Sequence, residues 1–417
     1  MSILTLIFRL LLTATLLFGA FVMSFTLNAQ QLNRYTALKV QQATVLQQQD
    51  KLEQAITILT EHKPSSKYDQ AFVGRVLGVY LWRDNKPNEA IIALENAISL
   101  HALSVESQWK TQRMLADILF SEQQYKRSIG HYQQLTASSF ESKGKDKNAK
   151  QQQKNNEIFL RIATANYQLQ RWTETLSTLN KYQPADRNDQ LQVLKLTVVA
   201  QLNVKHWQSA ERTLAMLINM EPNEPNWWRQ QVAVQFQLKR SSEALITYSL
   251  AKQQGVAFRV SDYKALSQLY AQQKMPERAA RISDEMMQAF PTTRTEQQLI
   301  YLATYWQQAK EWNRAIKVWT ELNSINAKHS WPLAKLQLQQ GNYQSSLNTL
   351  TSAKTYADPQ QFALVHIRVL YKLHQYEKAL LAAKRFNEQF PSESAKSWVT
   401  YLQNKQHLLN TSFKSEL

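Results

Sequence analysis

Histidine and carboxylate side chains are the candidates for any metal site in this chain, because its 417 residues include no cysteine. That absence excludes disulfides, thiolate catalysis and cysteine-ligated zinc or iron–sulfur sites. The histidines are scattered and form no H-E-x-x-H pattern, and the closest pair is His366 and His374. On one helix such a pair lies about 12 Å apart, too far for both rings to bind one metal ion.

Nucleotide-binding and nucleophile motifs are equally lacking. Gly74 and Gly78 form a G-x-x-x-G, which we interpret as helix packing, and Gly144-Lys145 follows no strand of the kind that a phosphate-binding loop requires. No G-x-S-x-G occurs. Most acidic residues precede apolar runs, where they suit helix N-termini. We therefore predict no catalytic residue, no cofactor and no metal, and a chain that is not an enzyme.

The composition favours helices. Only 7 glycines and 10 prolines occur, so few positions can take positive φ and few interrupt a helix. The 11 Trp, 17 Tyr and 15 Phe supply large side chains for packing between helices. These features predict an all-α fold.

A small residue recurs along the chain at a nearly constant interval. The successive gaps are 35, 38, 47, 35, 34, 35, 36, 31 and 33 residues. The recurring residues are Ala55, Ala90, Ser128, Thr175, Ala210, Ala244, Ala279, Ala315, Ser346 and Ala379. A period near 34 residues is typical of a repeated helical hairpin.

The residues around each small position repeat as well. Another small or β-branched residue lies twelve positions earlier, an aromatic residue often lies three earlier, and a large apolar residue lies four later. These spacings place all of them on the buried faces of two antiparallel helices. Five residues depart from this pattern, and we interpret them as irregular packing rather than as a surface that faces a partner. They are Ser283, Ala383, Gln201, Gln235 and Gln337.

This pattern resembles the tetratricopeptide repeat (TPR), most clearly in VLGVYLWRDNKPNEAIIALENAISL and RVLYKLHQYEKALLAAKRFNEQFP. The resemblance implies an all-α, TPR-type α-α superhelical solenoid of about ten helix-turn-helix repeats. We expect repeats 1–3 over residues 35–136, repeats 4–10 over 157–402 and a C-terminal tail over 403–417.

A polar, lysine-rich insertion is predicted over residues 137–156. It carries Lys143, Lys145, Lys147, Lys150 and Lys154 among Gln, Asn and Ser, without apolar periodicity. Such a segment buries too little surface to offset the entropy of ordering it, so we expect a solvated, mobile segment. It is either a plain linker or a basic contact site for anionic lipid or an acidic partner.

The N-terminal segment has the composition of a targeting sequence. Arg9 precedes an uncharged apolar stretch from Leu10 to Leu27, and Ala29 offers a cleavage position. Residues 1–29 are therefore predicted to be a signal peptide or an N-terminal membrane anchor. Either alternative places the rest of the chain in the periplasm, secreted or held at the inner membrane.

The formal charge of +17 is compatible with acidic protein partners, anionic membrane or nucleic acid. No nucleic-acid fold signature accompanies the charge, so we expect no nucleic-acid binding and no small-molecule substrate. Stacked hairpins expose their first helices along one surface that binds other proteins. The residues predicted there as partner-binding are Lys195, Arg229, Lys264 and Gln268.

Several longer segments are similar to exported TPR proteins associated with TonB energy-transduction systems. They include SWVTYL, RMLADILFSEQQYKRSIGHY and PNEPNWWRQQVAVQFQLKRSSEAL. The resemblance implies a periplasmic scaffold or adaptor, accessory to TonB-dependent transport of iron chelates, with TonB, ExbB or ExbD as partners. It carries over no functional residue. The alternative is an assembly scaffold for envelope polysaccharide or secretion machinery.

Overall fold

A computed structural model of the chain describes residues 32–137 and 147–415, which form 21 α-helices, two short 3-10 turns and no strand. The chain divides between Asp186 and Arg187 into two compact units. The predicted targeting segment, residues 1–29, lies outside the described residues.

The first unit contains four helical hairpins. Each hairpin pairs a first helix with the second helix that follows it. Their bounds are α1 Arg34–Gln48 with α2 Leu52–Glu61, α3 Lys67–Arg83 with α4 Pro87–Ser99, α5 Val105–Ser121 with α6 Tyr125–Ala137, and α7 Lys147–Gln168 with α8 Trp172–Leu179.

The second unit contains six hairpins and a final helix. The hairpins are α9 Arg187–Asn203 with α10 Trp207–Met220, α11 Pro225–Gln237 with α12 Ser241–Gln253, α13 Val260–Gln272 with α14 Pro276–Ala289, α15 Glu296–Gln308 with α16 Trp312–Ile325, α17 Ser330–Gln339 with α18 Tyr343–Ala353, and α19 Pro359–Lys372 with α20 Tyr376–Gln389. The final helix is α21 Glu393–Ser415, and 3-10 turns cover Pro291–Thr293 and Ala327–His329.

The predicted repeat is confirmed at its recurring small residue. All ten of these residues are 0% exposed, and each second helix begins three residues before its small residue. The two helices of a hairpin approach most closely at this point, where a larger side chain would separate them. Gly78 shows how tight the approach is, because a Cβ atom there would lie 2.6 Å from the Leu94 side chain.

The turn inside each hairpin contains one residue with positive φ, five positions before the small residue. Only one of these ten residues is glycine. They are Asp50, Asn85, Gln123, Gln170, Lys205, Lys239, Lys274, Lys310, Gly341 and His374. The left-handed conformation is strained for a residue with a side chain, by roughly 1 kcal/mol.

Two hydrogen bonds hold this turn conformation. In the α13–α14 hairpin the Lys274 N–H donates to the Ala271 carbonyl at 3.0 Å, and the Met275 N–H donates to the Tyr270 carbonyl at 2.9 Å. This is the Schellman arrangement, which satisfies carbonyl groups at the end of the first helix. The chain can therefore reverse direction and start the second helix within three residues.

Four of the five departures from the repeat pattern are buried inside the hairpin core, and Gln201 is half-buried. Ser283 is 5% exposed and its hydroxyl lies 2.7 Å from that of Ser267, while Ala383 is 0% exposed. Gln337 is buried and accepts a hydrogen bond from Thr349 at 2.9 Å. Gln235 is buried as well, but its side-chain oxygen has no hydrogen-bond partner among the described residues.

Two helices extend into segments that the sequence analysis assigned to no repeat. Helix α7 begins at Lys147, so residues 147–156 of the predicted insertion are helical, whereas residues 138–146 lie outside the described part of the chain. Lys, Gln and Ala are good helix formers and extend the helix without an apolar face. Likewise, α21 continues past Leu402 to Ser415. Within the described residues, no helix has the length and apolarity needed to cross a bilayer.

Replacing Lys274 with glycine is expected to raise the free energy of unfolding by about 1 kcal/mol, because glycine adopts φ of +58° without strain. The reverse substitution, Gly341→Lys, is expected to lower the free energy of unfolding by a similar amount, since the φ of Gly341 is +81°. Urea unfolding followed by circular dichroism measures both. A loss of stability in Lys274→Gly would contradict this account of the turn.

The substitution Gln235→Leu is expected to stabilise the fold by about 1–2 kcal/mol, because it removes a buried carbonyl oxygen that has no partner. Gln337→Leu is the matched control. It removes the hydrogen bond from Thr349, so its gain is expected to be smaller or absent. Equal changes in the denaturation midpoints of the two variants would argue against the explanation.

Candidate functional site

The first helices of the second unit form a continuous layer. Side chains link each of them to the next, either directly or through a shared core cluster: Lys195 with Trp227, Arg229 with Asp262, Tyr305 with the cluster of Leu266 and Leu269, Leu302 with Leu333 in one cluster, and Trp331 with Phe362. The layer runs from α9 through α11, α13, α15 and α17 to α19.

One face of this layer is accessible to solvent. Residues at positions i, i+4 and i+8 lie on the same side of a helix, so three residues from each first helix form a band across the layer. We call this band the first-helix stripe, and none of its residues is buried. It consists of Lys195, Val199, Asn203, Arg229, Ala233, Gln237, Lys264, Gln268, Gln272, Ile300, Thr304, Gln308, Trp331, Lys335, Gln339, Leu364, Arg368 and Lys372.

The stripe carries six cations and no carboxylate. Along α11, α13, α15, α17 and α19 the only acidic residues are Asp262 and Glu296. Both lie in the first turn of their helices, and both are paired with basic side chains. In the second unit the second helices carry eight carboxylates together with nine cations, so the two helix layers differ in where the carboxylates lie and not in where the cations lie.

The four residues that the sequence predicted as partner-binding all lie on the first-helix stripe. Lys195 is engaged within the protein: its Nζ lies 3.0 Å from Glu221 Oε1 and 5.8 Å from the centre of the Trp227 ring. Trp227 Nε1 donates to the other Glu221 oxygen at 2.9 Å. Burial acts to raise the pKa of Glu221, but the hydrogen bonds from Trp227 and Lys195 outweigh it and lower the pKa.

Arg229 is also engaged within the protein. Its Nε donates to Asp262 Oδ2 at 2.9 Å and its terminal nitrogen donates to the Ala257 carbonyl at 3.1 Å. Asp262 is 3% exposed and accepts a second hydrogen bond from the Arg259 N–H at 2.9 Å. Burial and the neighbouring Asp262 raise the pKa of Tyr248 to about 12. Arg229 therefore joins α11 to the start of α13 and neutralises a buried carboxylate.

Lys264 and Gln268 occupy the next two turns of α13 and are exposed. Neither forms an ion pair or a side-chain hydrogen bond with another described residue. Of the four predicted residues, these two are the ones whose polar groups remain available to a partner. The prediction that all four bind a partner stays a prediction.

Three further exposed cations on the stripe were missed at the sequence level. Lys335 lies 5.0 Å from the centre of the Trp331 ring, and Arg368 and Lys372 occupy successive turns of α19. No ion pair involves any of the three within the described residues. Extending the register of Gln268 by one repeat period at a time would have found Lys335 and Arg368, and the register one turn later, at Gln272, would have found Lys372.

A column of neutral amides runs along the C-terminal ends of the first helices. It consists of Asn203, Gln237, Gln272, Gln308 and Gln339, one from each of five consecutive first helices, and all five are exposed. Between α15 and α17 the stripe deepens into a cleft of about 370 Å³. Its lining residues are Thr304, Gln307, Gln308, Trp312 and Gln339.

The two histidines closest in sequence, His366 and His374, serve the packing of α19 and its turn. His366 stacks on Phe362 with ring centres 5.9 Å apart, and burial followed by the nearby Lys354 lowers its pKa. His374 lies in the hairpin turn, with its Nδ1 2.7 Å from the Tyr376 hydroxyl. Within the described residues, no three histidine or carboxylate side chains converge as metal ligands.

The architecture is therefore an all-α, TPR-type solenoid of helical hairpins, a class whose stacked repeats provide extended surfaces for binding other proteins. In the second unit, the first-helix stripe is an accessible surface that supplies positive charge, amide hydrogen-bonding groups and a cleft.

No protein-family model and no curated protein matches the sequence. Among solved structures, a TPR protein from Parabacteroides merdae is 14% identical, with a TM-score of 0.34, covering 66% of this chain and 99% of its own. A TPR-containing protein from Cytophaga hutchinsonii is 14% identical, with a TM-score of 0.34, covering 69% and 95%. YrrB, a TPR protein with an unusual peptide-binding site, is 12% identical, with a TM-score of 0.33, covering 44% and 94%.

Arg229→Ala is expected to destabilise the second unit by about 2 kcal/mol, because it leaves the buried Asp262 carboxylate without its cation. Lys264→Ala, at the equivalent position one hairpin later, is expected to change stability by less than about 0.5 kcal/mol. Chemical denaturation measures both. Similar losses for the two variants would contradict the distinction between structural and available cations.

Proposed function

We propose that the protein is a scaffold that holds a partner protein on the first-helix stripe of its second unit. The observation that carries this proposal is that the stripe presents six cations and no carboxylate on an accessible layer of stacked helices. Such a surface attracts a partner electrostatically and aligns it without any chemical reaction.

The finer proposal is that this scaffold works outside the cytoplasm as an accessory of a TonB-dependent transport system for iron chelates. It is supported by the apolar stretch from Leu10 to Leu27 and by the similarity of the segments quoted above to exported, TonB-associated TPR proteins. TonB, ExbB or ExbD are the partners that this proposal names.

The experiment is crosslinking of the tagged protein in iron-limited cells, followed by purification and identification of the captured proteins. Recovery of TonB, ExbB or ExbD is expected. A variant in which Lys335 and Arg368 are both changed to glutamate serves as the control, because it reverses charge on the stripe at two exposed positions that form no ion pair within the described residues.

Capture of envelope-polysaccharide or secretion proteins alone would overturn the transport proposal and leave the scaffold intact. Equal capture by the unaltered protein and by the charge-reversed variant would instead show that the partner binds elsewhere, and would overturn the assignment of the stripe.

A further inference from the structure

The first hairpin exposes aliphatic side chains on one face of α1. Leu38 and Val45 lie two turns apart on this face and are 50% and 44% exposed. Arg34 and Tyr35 lie one turn before Leu38 and are exposed as well. Lys39 lies beside them, with its Nζ 5.7 Å from the centre of the Tyr35 ring. We call these five residues the α1 face.

The same positions are covered in the hairpins that follow. In α3, the next first helix, the place of Leu38 is taken by Val73, which is 4% exposed. The place of Val45 is taken by Tyr80, which is 6% exposed and whose hydroxyl donates to Thr44 of the first hairpin at 3.4 Å. The equivalent residues of α5 and α7 are also buried: Thr111, Ile118, Ile158 and Ala165.

The α1 face is therefore a stacking surface at the end of the described hairpins. Terminal repeats of solenoids usually carry a polar outer face, because no further repeat covers them. Here Leu38 and Val45 keep the apolar character of the covered positions while remaining exposed. A further contact that removes them from water is favoured.

The charge of the α1 face indicates what kind of contact this is. Residues 1–49 contain no Asp or Glu, and the first acidic residue of the chain is Asp50, in the hairpin turn. Neither Arg34 nor Lys39 forms an ion pair within the described residues. A cover that presents anionic groups beside apolar surface therefore suits the α1 face best.

The surface of an anionic bilayer combines these two properties. Its phosphate groups attract Lys and Arg side chains, and its acyl chains lie directly beneath them. Tyrosine is enriched at membrane–water interfaces, where the ring is apolar and the hydroxyl remains hydrated. Arg34, Tyr35, Leu38 and Lys39 thus match the chemistry of this interface residue by residue.

The chain itself would keep a bilayer close to α1. The apolar stretch from Leu10 to Leu27 has nearly the length of a bilayer span. Only residues 28–33 separate it from Arg34, the first residue of α1, so the two are at most about 25 Å apart. Anchoring by this stretch raises the effective concentration of lipid at the α1 face.

We infer that the α1 face rests on the surface of an anionic bilayer. Leu38 and Val45 contact the acyl chains, and Arg34 and Lys39 pair with the lipid phosphates. This membrane contact goes beyond the proposed scaffold function, and it requires that residues 1–29 are retained as an anchor.

Two other covers suit the α1 face less well. A second copy of the chain would bring another pair of unbalanced cations to the interface, on a protein with a formal charge of +17. The stretch from Leu10 to Leu27 has no charged residue, so packing it on α1 would leave Arg34 and Lys39 without an anion.

The test uses the full-length protein in nanodiscs made of equal parts of phosphatidylcholine and phosphatidylglycerol. Because the chain has no cysteine, Leu38→Cys and Val45→Cys each accept a single NBD fluorophore. The matched control is Ile92→Cys, which replaces an aliphatic residue of similar exposure on the second helix α4. Phospholipids brominated on their acyl chains are expected to quench the probes at positions 38 and 45 severalfold more strongly than the probe at 92.

Charge reversal then tests the role of the two cations. Changing both Arg34 and Lys39 to glutamate is expected to reduce the lipid quenching of the probe at position 38 by at least half. The control reverses Arg83 and Lys126, an exposed arginine and an exposed lysine that form no ion pair within the described residues, and is expected to leave the quenching unchanged. Thermal unfolding by circular dichroism confirms that each variant is folded.

Three results would overturn the inference. The first is equal lipid quenching at positions 38 and 92. The second is a probe at 38 that is shielded from aqueous iodide but not quenched by brominated lipid, because protein would then cover the α1 face. The third is a mature chain that begins at Gln30 in cells, since cleavage there removes the anchor. All three concern the first hairpin or the N-terminus, so capture of a partner by the first-helix stripe is decided separately.

Discussion

The close approach of two helices at one small residue is the constraint on which every hairpin depends. Ten such residues are completely buried, and at each the second helix begins three positions earlier. The approach is possible because the chain reverses through a single left-handed residue whose neighbours satisfy the carbonyl groups ending the first helix. With nine of the ten turns lacking glycine, packing between the helices offsets the strain of the turn.

The fold could be predicted from the sequence because residues that recur at fixed spacings are the ones that contact each other between the helices of a hairpin. The buried small residue, such as Ala279, and the first residue of the second helix, such as Trp312, recur at the same place in each hairpin. Their positions therefore follow from one period. The start of α7 was not predictable in this way, since the polar residues from Lys147 onwards have helix propensity but no apolar face. The burial of Gln235 likewise depends on neighbours from other helices.

The register placed the four candidate residues on the first helices correctly, but it did not indicate which of them are paired within the protein. Lys195, Arg229, Lys264 and Gln268 all lie on the first-helix stripe, as their register indicated. Sequence spacing did not reveal that Glu221 and Asp262, which lie 26 and 33 residues away, neutralise the first two. The Arg229–Asp262 pair joins neighbouring hairpins, and Glu221 connects Lys195 to Trp227 of the next first helix, so this end of the helix face contributes to stability.

The measurement that tests the central claim most directly is site-specific photocrosslinking in cells. A photoreactive amino acid is placed at Gln272 on the stripe or at Arg281, an exposed position on the second helix α14. If the stripe holds the partner, the probe at position 272 gives a discrete crosslinked protein and the probe at 281 gives none. The same crosslinked protein from position 281, with none from 272, would contradict the account.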